Sequence, residues 1–442
     1  MGWLKSIIGS YKSTLSRDMK INNQIVIFSG LFSYSVWEKS LIQKRTYYKK
    51  AKFNTDLVDI IKSQYYPVFG KFILNDSPND YLEIESSSTY TFDVVDISGT
   101  ENKQVILEDI KLSFFDDTIG LGIYSFSVKL PENISFAEDI RMLRILRDFE
   151  SEVRVRSTSY SLREFIQLNI LRCEDNVDTA FKMNIDSNSD VFGYSGSKLK
   201  SFIAVEIDEF APRYTIEEAL YELGTFTEYL TSKQNVGSHS PSSEYFDSIL
   251  SNQISVFQNW SALALFDSFI LIGKQGYLKK TNTVSTIRGS YFKIFLFNLY
   301  SKFYLFKTNS DIETNKRKEI THTLYSFLRN YDISYISFNF LPNLLHEKIR
   351  TAFQIHSELN SVRSKIELME SQKKEKETNL INALLFFIAA LGIVSVLADL
   401  PAVLKNVFNN FNEREATFLG VGLVFIALMA LVWYFKIFKS KR

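Results

Sequence analysis

Two uncharged apolar stretches near the C-terminus constrain this chain more than any other feature. Leu380 to Ala398 reads LINALLFFIAALGIVSVLA, and Ala416 to Phe435 reads ATFLGVGLVFIALMALVWYF. Each is about the ~20 residues that a helix needs to cross a hydrocarbon core ~30 Å thick. The expectation is two transmembrane helices, 380–398 and 416–435, joined by an outer loop 399–415. Lys373, Lys374 and Lys376 precede the first stretch, and Lys436, Lys439, Lys441 and Arg442 form a basic tail, 436–442. The connection carries only Lys405 and Arg414 against Asp399, Glu413 and Glu415. Cations favour the cytoplasmic side, so the expected location is the inner membrane with both termini cytoplasmic.

A long helix is expected to lead into the first stretch. From Pro342 there is no further Pro or Gly until Gly392. Apolar residues recur at Leu345, Ile349, Ala352, Ile355, Leu359, Val362, Ile366 and Met369, at intervals near a heptad seam. The spacing predicts a stalk over 342–379, continuous with the first span and roughly 70 Å long from Asn343 to Leu391. Its seam needs cover, either from copies of the chain or from the chain's own preceding domain.

Residues 1–341 read as a cytoplasmic α/β domain with a helical subdomain, and the whole chain as that domain plus stalk and spans. Gln24 to Ser35, Tyr90 to Ile97 and Ser197 to Ile207 have strand character. Gln104 to Phe115 and Ile119 to Leu130 flank a short polar turn, a hairpin pattern. Ser135 to Phe149 carries a helical apolar stripe, and Thr215 with Glu218 is a capping-box pattern. Tyr245 to Phe306 is rich in Phe, Leu and Tyr and reads as packed helices, with another over Lys316 to Asn330.

Composition narrows the chemistry. Lys plus Arg number 51 and Asp plus Glu 50, a net charge of +1 that argues against a dedicated nucleic-acid binder. The single cysteine, Cys173, excludes an internal disulfide and a cysteine-based zinc site. There is no GxxxxGK[ST] and no HExxH, and no recognisable nucleophile motif. The expectation is a protein that is not an enzyme, with no certain cofactor and no assigned metal ligand. One cluster stands out: of 17 arginines, seven fall between 141 and 172. Arg144, Arg154, Arg156 and Arg163 are the candidates for holding a small anion of nucleotide type, since guanidinium groups grip phosphate bidentately. The alternative is a solvated face paired with Glu138, Asp139, Asp148, Glu150 and Glu152.

Within the first span, Asn382, Ala389, Gly392, Ser395 and Asp399 fall on one small and polar stripe. Polar groups in a membrane usually face protein or water, so the stripe is either pore-lining or a close-packing face.

The order of parts resembles the CorA family of metal-ion transporters: cytoplasmic α/β domain, long stalk helix, first span, short outer loop, second span, basic tail. The resemblance implies a homopentamer with the first span around a central pore, Asn382 as a pore ring and a divalent cation as cargo. The family's Gly-Met-Asn signature is missing; Ala398-Asp399-Leu400-Pro401 stands where it belongs. Divergent CorA-like proteins also serve as membrane effectors beside type III CRISPR systems, where a nucleotide second messenger acts on the cytoplasmic domain. The expected function is therefore a homo-oligomeric, ligand-gated channel in the lipid bilayer, for metal transport or antiviral defence. The alternative is a membrane-anchored binding or scaffold protein without a pore.

Overall fold

In a computed structural model the described residues are 19–34, 36–43, 48–51, 58–76, 81–94, 103–117, 119–132, 134–155, 158–171, 198–207, 209–210, 214–227, 242–274, 276–313 and 317–407, with 414, 418, 422 and 425. They form two units, Met1–Arg363 and Ser364–Arg442.

The first unit opens with β1 (Ile21–Ser33), α1 (Val36–Gln43), β2 (Tyr48–Lys50), α2 (Val58–Gln64) and α3 (Pro67–Ile73). Then come β3 (Leu82–Ser86), β4 (Tyr90–Val94), β5 (Lys103–Phe114), β6 (Leu121–Lys129) and α4 (Phe136–Arg147). Next are β7 (Glu152–Val155), β8 (Thr158–Ser161), α5 (Leu162–Phe165) with a π turn over Ile166–Ile170, β9 (Lys200–Ile207), α6 (Ile216–Thr225) and α7 (Ser243–Leu250). The remainder is β10 (Gln253–Phe257), β11 (Trp260–Ala264), β12 (Ser268–Lys274), α8 (Thr281–Thr286), α9 (Phe292–Glu313), α10 (Arg317–Asn330), α11 (Phe340–Ala352) and α12 (Ile355–Val407).

All 12 described strands join one sheet, whose main path runs β10-β11-β12-β9-β1-β6-β5-β4-β7-β8. Its pairings are antiparallel except β9 with β12, which run parallel in register from Ser201↔Ser268. At the centre, Gly30 lies opposite Tyr124 and Gly122 opposite Phe32. A Cβ on either glycine would collide with the facing ring, so each glycine lets an aromatic side chain lie flat across the strand. Capping boxes open α4 at Ser135–Glu138 and α6 at Thr215–Glu218, the second as its sequence predicts. Helix α9 is apolar around almost its whole circumference, and from Tyr291 to Leu305 it is buried on all sides, as such a helix must be.

Three expectations change. Residues 253–274 are strands and not helices: Gln258–Asn259 is a two-residue turn that brings Phe257 opposite Trp260. Two-residue turns of this kind close hairpins, and an aromatic-rich run carries no helical period to oppose it. The stalk is not one helix either. It breaks at Phe353–Gln354, where Gln354 takes φ 58°, and the seam residues Leu345, Ile349, Ala352, Ile355, Leu359 and Val362 are buried within the first unit.

The third change concerns the membrane. Among the described residues no helix is long and apolar enough to cross one. In α12 the charged segment SQKKEKET and Asn379 precede the apolar run from Leu380 within the same helix. The second stretch, 416–435, lies outside the described residues apart from Phe418, Gly422 and Phe425. The expected two-span architecture and inner-membrane location are therefore corrected. Of the stripe expected to line a pore, Asn382, Ala389, Gly392 and Ser395 are exposed, and the side chain of Asp399 is outside the described set.

One buried acid has a direct consequence for stability. Asp139 in the first turn of α4 is wholly buried, and neither carboxylate oxygen finds a hydrogen-bonding partner. Burial pushes its pKa up to about 7, only partly opposed by the neighbouring Gln24. The native state therefore holds this proton at pH values where the unfolded chain has released it. Its stabilising contribution is full below the unfolded value near 4 and is lost as pH rises through about 7. Asp139→Asn is expected to raise the melting temperature at pH 8 and leave it nearly unchanged at pH 4. Thermal melts at the two pH values test this, and an equal shift at both contradicts it.

Candidate functional site

The start of the parallel pair β9–β12 gathers charge inside the core. Arg147 ends α4, where a cation suits the negative end of the helix dipole. Its Nε donates to the Leu199 carbonyl at 2.9 Å, its Nη2 pairs with Asp267, and its Cζ lies 4.6 Å from the ring centre of Phe226. Lys200 opens β9 and places Nζ 3.9 Å from the same Asp267 carboxylate. Asp267 belongs to the β11–β12 turn, whose main chain accepts from the Ser201 N–H at 3.2 Å.

Lys302 comes from α9. Its Nζ donates to the Phe266 carbonyl at 2.5 Å and lies 3.0 Å from the centre of the Phe266 ring. Phe353, Phe306 and Phe303 surround it at 5.1, 5.8 and 6.0 Å, and Lys200 Nζ reaches the same Phe303 ring at 5.9 Å. Lys302 is 1% exposed and makes no ion pair among the described residues. Burial drives its pKa down to about 6, with repulsion from Lys200 adding to the effect and Asp267 and Glu358 opposing it. Burial likewise lowers Lys200 to about 8, where Asp267 supports its charge and Arg147 and Lys198 oppose it. At neutral pH Lys302 is thus mostly a neutral amine, held among aromatic faces that would favour its cation.

Phe353 connects this cluster to the α11–α12 elbow. Gln354 there is a non-glycine residue in the left-handed region, which costs roughly 1–2 kcal/mol and persists only where surrounding contacts impose it. Asp332 ties together the two helices that flank Gln354. One carboxylate oxygen takes Arg350 of α11 at 2.7 Å, the other Arg363 of α12 at 3.5 Å. His346 adds a fixed neutral imidazole. Its Nε2–H donates to the Ile333 carbonyl at 2.8 Å while Nδ1 accepts from Asn298 at 3.0 Å. Burial holds its pKa at about 3, so the tautomer persists at neutral pH.

A second buried network lies at the N-terminal end of α9, nine residues before Lys302 and so on the opposite helical face. Glu83 receives Lys293, Lys111 at 3.5 Å, Tyr81 at 3.1 Å and Ser113 at 3.3 Å. Burial pushes the Glu83 carboxyl up, but Lys293 and Lys111 outweigh it and hold it at about 2. Every member is bonded, so this network reads as a structural brace.

The arginine candidates do not assemble as a site. Arg144 is exposed on α4. Arg154 lies along its own strand neighbour Glu152 at 3.4 Å, and Arg163 forks onto Glu150 at 2.7 and 3.1 Å. Arg156 lies outside the described residues. Paired carboxylates thus take up Arg154 and Arg163, while the buried cation of the cluster is Arg147. Sequence reading passed over Lys200, Lys302 and Asp267. The available signal was Lys302 inside the apolar run FKIFLFNLYSKFYLF, a cation where a core residue belongs. Among the described residues no group of three or more His, Cys, Asp and Glu side chains is placed to hold a metal ion.

No protein-family model, curated protein or solved structure matches this chain.

Proposed function

We propose that this chain is a binding and relay protein and not an enzyme: the sheet domain receives a signal, the elbow responds, and α12 joins copies of the chain. The observation that carries this reading is the elbow itself. A strained Gln354 lies between two helices that share one carboxylate, Asp332, and the ring beside it, Phe353, packs on a buried amine of the sheet domain. A strained backbone fixed by a few polar contacts is a natural two-position element.

Self-association is favoured by α12. Leu380, Ile381, Leu384, Leu385, Phe387, Ile388 and Leu391 are each more than half exposed. At 100° per residue they fall within an arc of about 160° on one side of the helix. Together they present roughly 700 Å² of apolar surface, close to the ~800 Å² that each partner contributes to a standard interface. A second copy presenting the same arc supplies an isologous cover for it.

The elbow is testable alone. Gln354→Gly relieves the left-handed strain and is expected to stabilise the first unit by about 1 kcal/mol, whereas Gln354→Val costs about as much or more. Asp332→Asn is expected to loosen the clamp and speed amide hydrogen exchange over residues 350–363. Unchanged exchange in Asp332→Asn would remove the elbow from the account.

A further inference from the structure

We propose that Arg147, Lys200 and Lys302 form a binding site for a small phosphate-class oxyanion, approached past Asp267. The three cations come from α4, β9 and α9, and all are more than nine-tenths buried, at 7%, 7% and 1% exposure. Residues that converge from separate elements at such depth are not a solvated surface patch. The Asp267 side chain is the accessible member, 26% exposed, and it stands where an anion would enter.

Arg147 spends Nε on a main-chain carbonyl and Nη2 on Asp267. Lys302 Nζ makes one hydrogen bond among the described residues, to the Phe266 carbonyl, although an ammonium carries three donors. A tetrahedral anion beside Lys302 supplies acceptors for the remaining donors of its ammonium form. It also supplies the negative charge that would make the Lys302 cation stable in its buried position. The charged groups facing the cluster are Asp267 in the turn, Glu358 on α12, Lys198 before β9, and the three cations themselves. Asp267 competes with the ligand for the same donors, so its carboxylate sets the affinity low and the exchange fast.

Binding has a proton signature. Lys302 is mostly neutral at pH 7, so an anion that seats beside it draws a proton from solution. Affinity therefore rises as pH falls from 8 towards 6. This site stands on its own geometry and does not require α12 to join copies.

Isothermal titration of the full chain with inorganic phosphate, and separately with phenyl phosphate, is the test, run in two buffers of different ionisation enthalpy. Binding with proton uptake is expected, with Lys302→Met weakening it by about tenfold or more, the loss of a charge-assisted contact. Asp267→Asn, which removes the competing carboxylate, is expected to bind several-fold more tightly. Preference for phenyl phosphate identifies a phosphomonoester, and preference for phosphate the free ion. No heat from either ligand, wild-type affinity in a folded Lys302→Met, or weakened binding in a folded Asp267→Asn would each overturn the proposal. A wild-type result without binding leaves the assembly reading of α12 untouched.

Discussion

Replacing Lys302 with methionine is expected to stabilise the protein at neutral pH. Methionine keeps the length of the chain and its contacts with Phe266, Phe303, Phe306 and Phe353, and it removes an amine buried without an ion pair among the described residues. The unfolded chain holds this proton up to about 10.5, while the folded protein gives it up near 6. Between those values the unfolded state binds more protons, so stability rises with pH across that window. The penalty is complete below about 6 and absent above about 10.5. Lys302→Met should therefore gain on the order of 2–4 kcal/mol at pH 6, less at pH 8, and little at pH 10. Urea unfolding at the three pH values measures it. Loss of stability at pH 6 would show that the amine is satisfied in a way that its surroundings do not indicate. A residue that costs stability and is nevertheless present is a candidate for function, because stability and site chemistry commonly oppose each other.

The second large effect is at Glu83. Glu83→Gln leaves Lys293 buried at 6% exposure without its counter-ion, and Lys111 loses its partner as well. Breaking one side of a buried pair costs about 3–5 kcal/mol, because the remaining charge is stranded. The loss should reach well beyond α9, since Glu83 also anchors Tyr81 and its main chain is fixed by Asn75. Glu83→Gln combined with Lys293→Met should recover most of the stability, since neither charge then remains. Failure of the double variant to recover would mean that the pair fixes the fold by more than charge compensation. The contrast with Lys302 is physical: the same residue type on the same helix is braced by a carboxylate at position 293 and held by rings and a main-chain carbonyl at position 302.

Much of the sheet domain was legible in its sequence. β1, the β5–β6 hairpin, β9 and the helices α4 and α6 follow from runs of strand-forming residues, a short polar turn, an apolar helical stripe and Thr215 followed three residues later by Glu218. The strands at 253–274 were not legible, because small and aromatic residues there satisfy neither period cleanly. The elbow was hidden because Phe353–Gln354 carries no glycine or proline to mark a left-handed turn, and the carboxylate shared by the flanking helices, Asp332, lies in a separate loop. The cation cluster was hidden for a related reason. Its members are 53 and 102 residues apart in sequence and meet only through the β9–β12 pairing. The local density of arginines, by contrast, pointed to Arg154 and Arg163, which their own neighbouring glutamates take up. Local charge counts report composition, whereas convergence requires the topology.

The central claim is that copies of this chain meet along one face of α12. Its most direct test is disulfide crosslinking in a background where the single cysteine, Cys173, is replaced by serine. Leu384→Cys lies at the middle of the exposed apolar arc, and Ala389→Cys lies outside it on the same helix. The account predicts that mild oxidation yields a covalent dimer from Leu384→Cys and little from Ala389→Cys. Equal crosslinking at both positions, or none at Leu384, would contradict it.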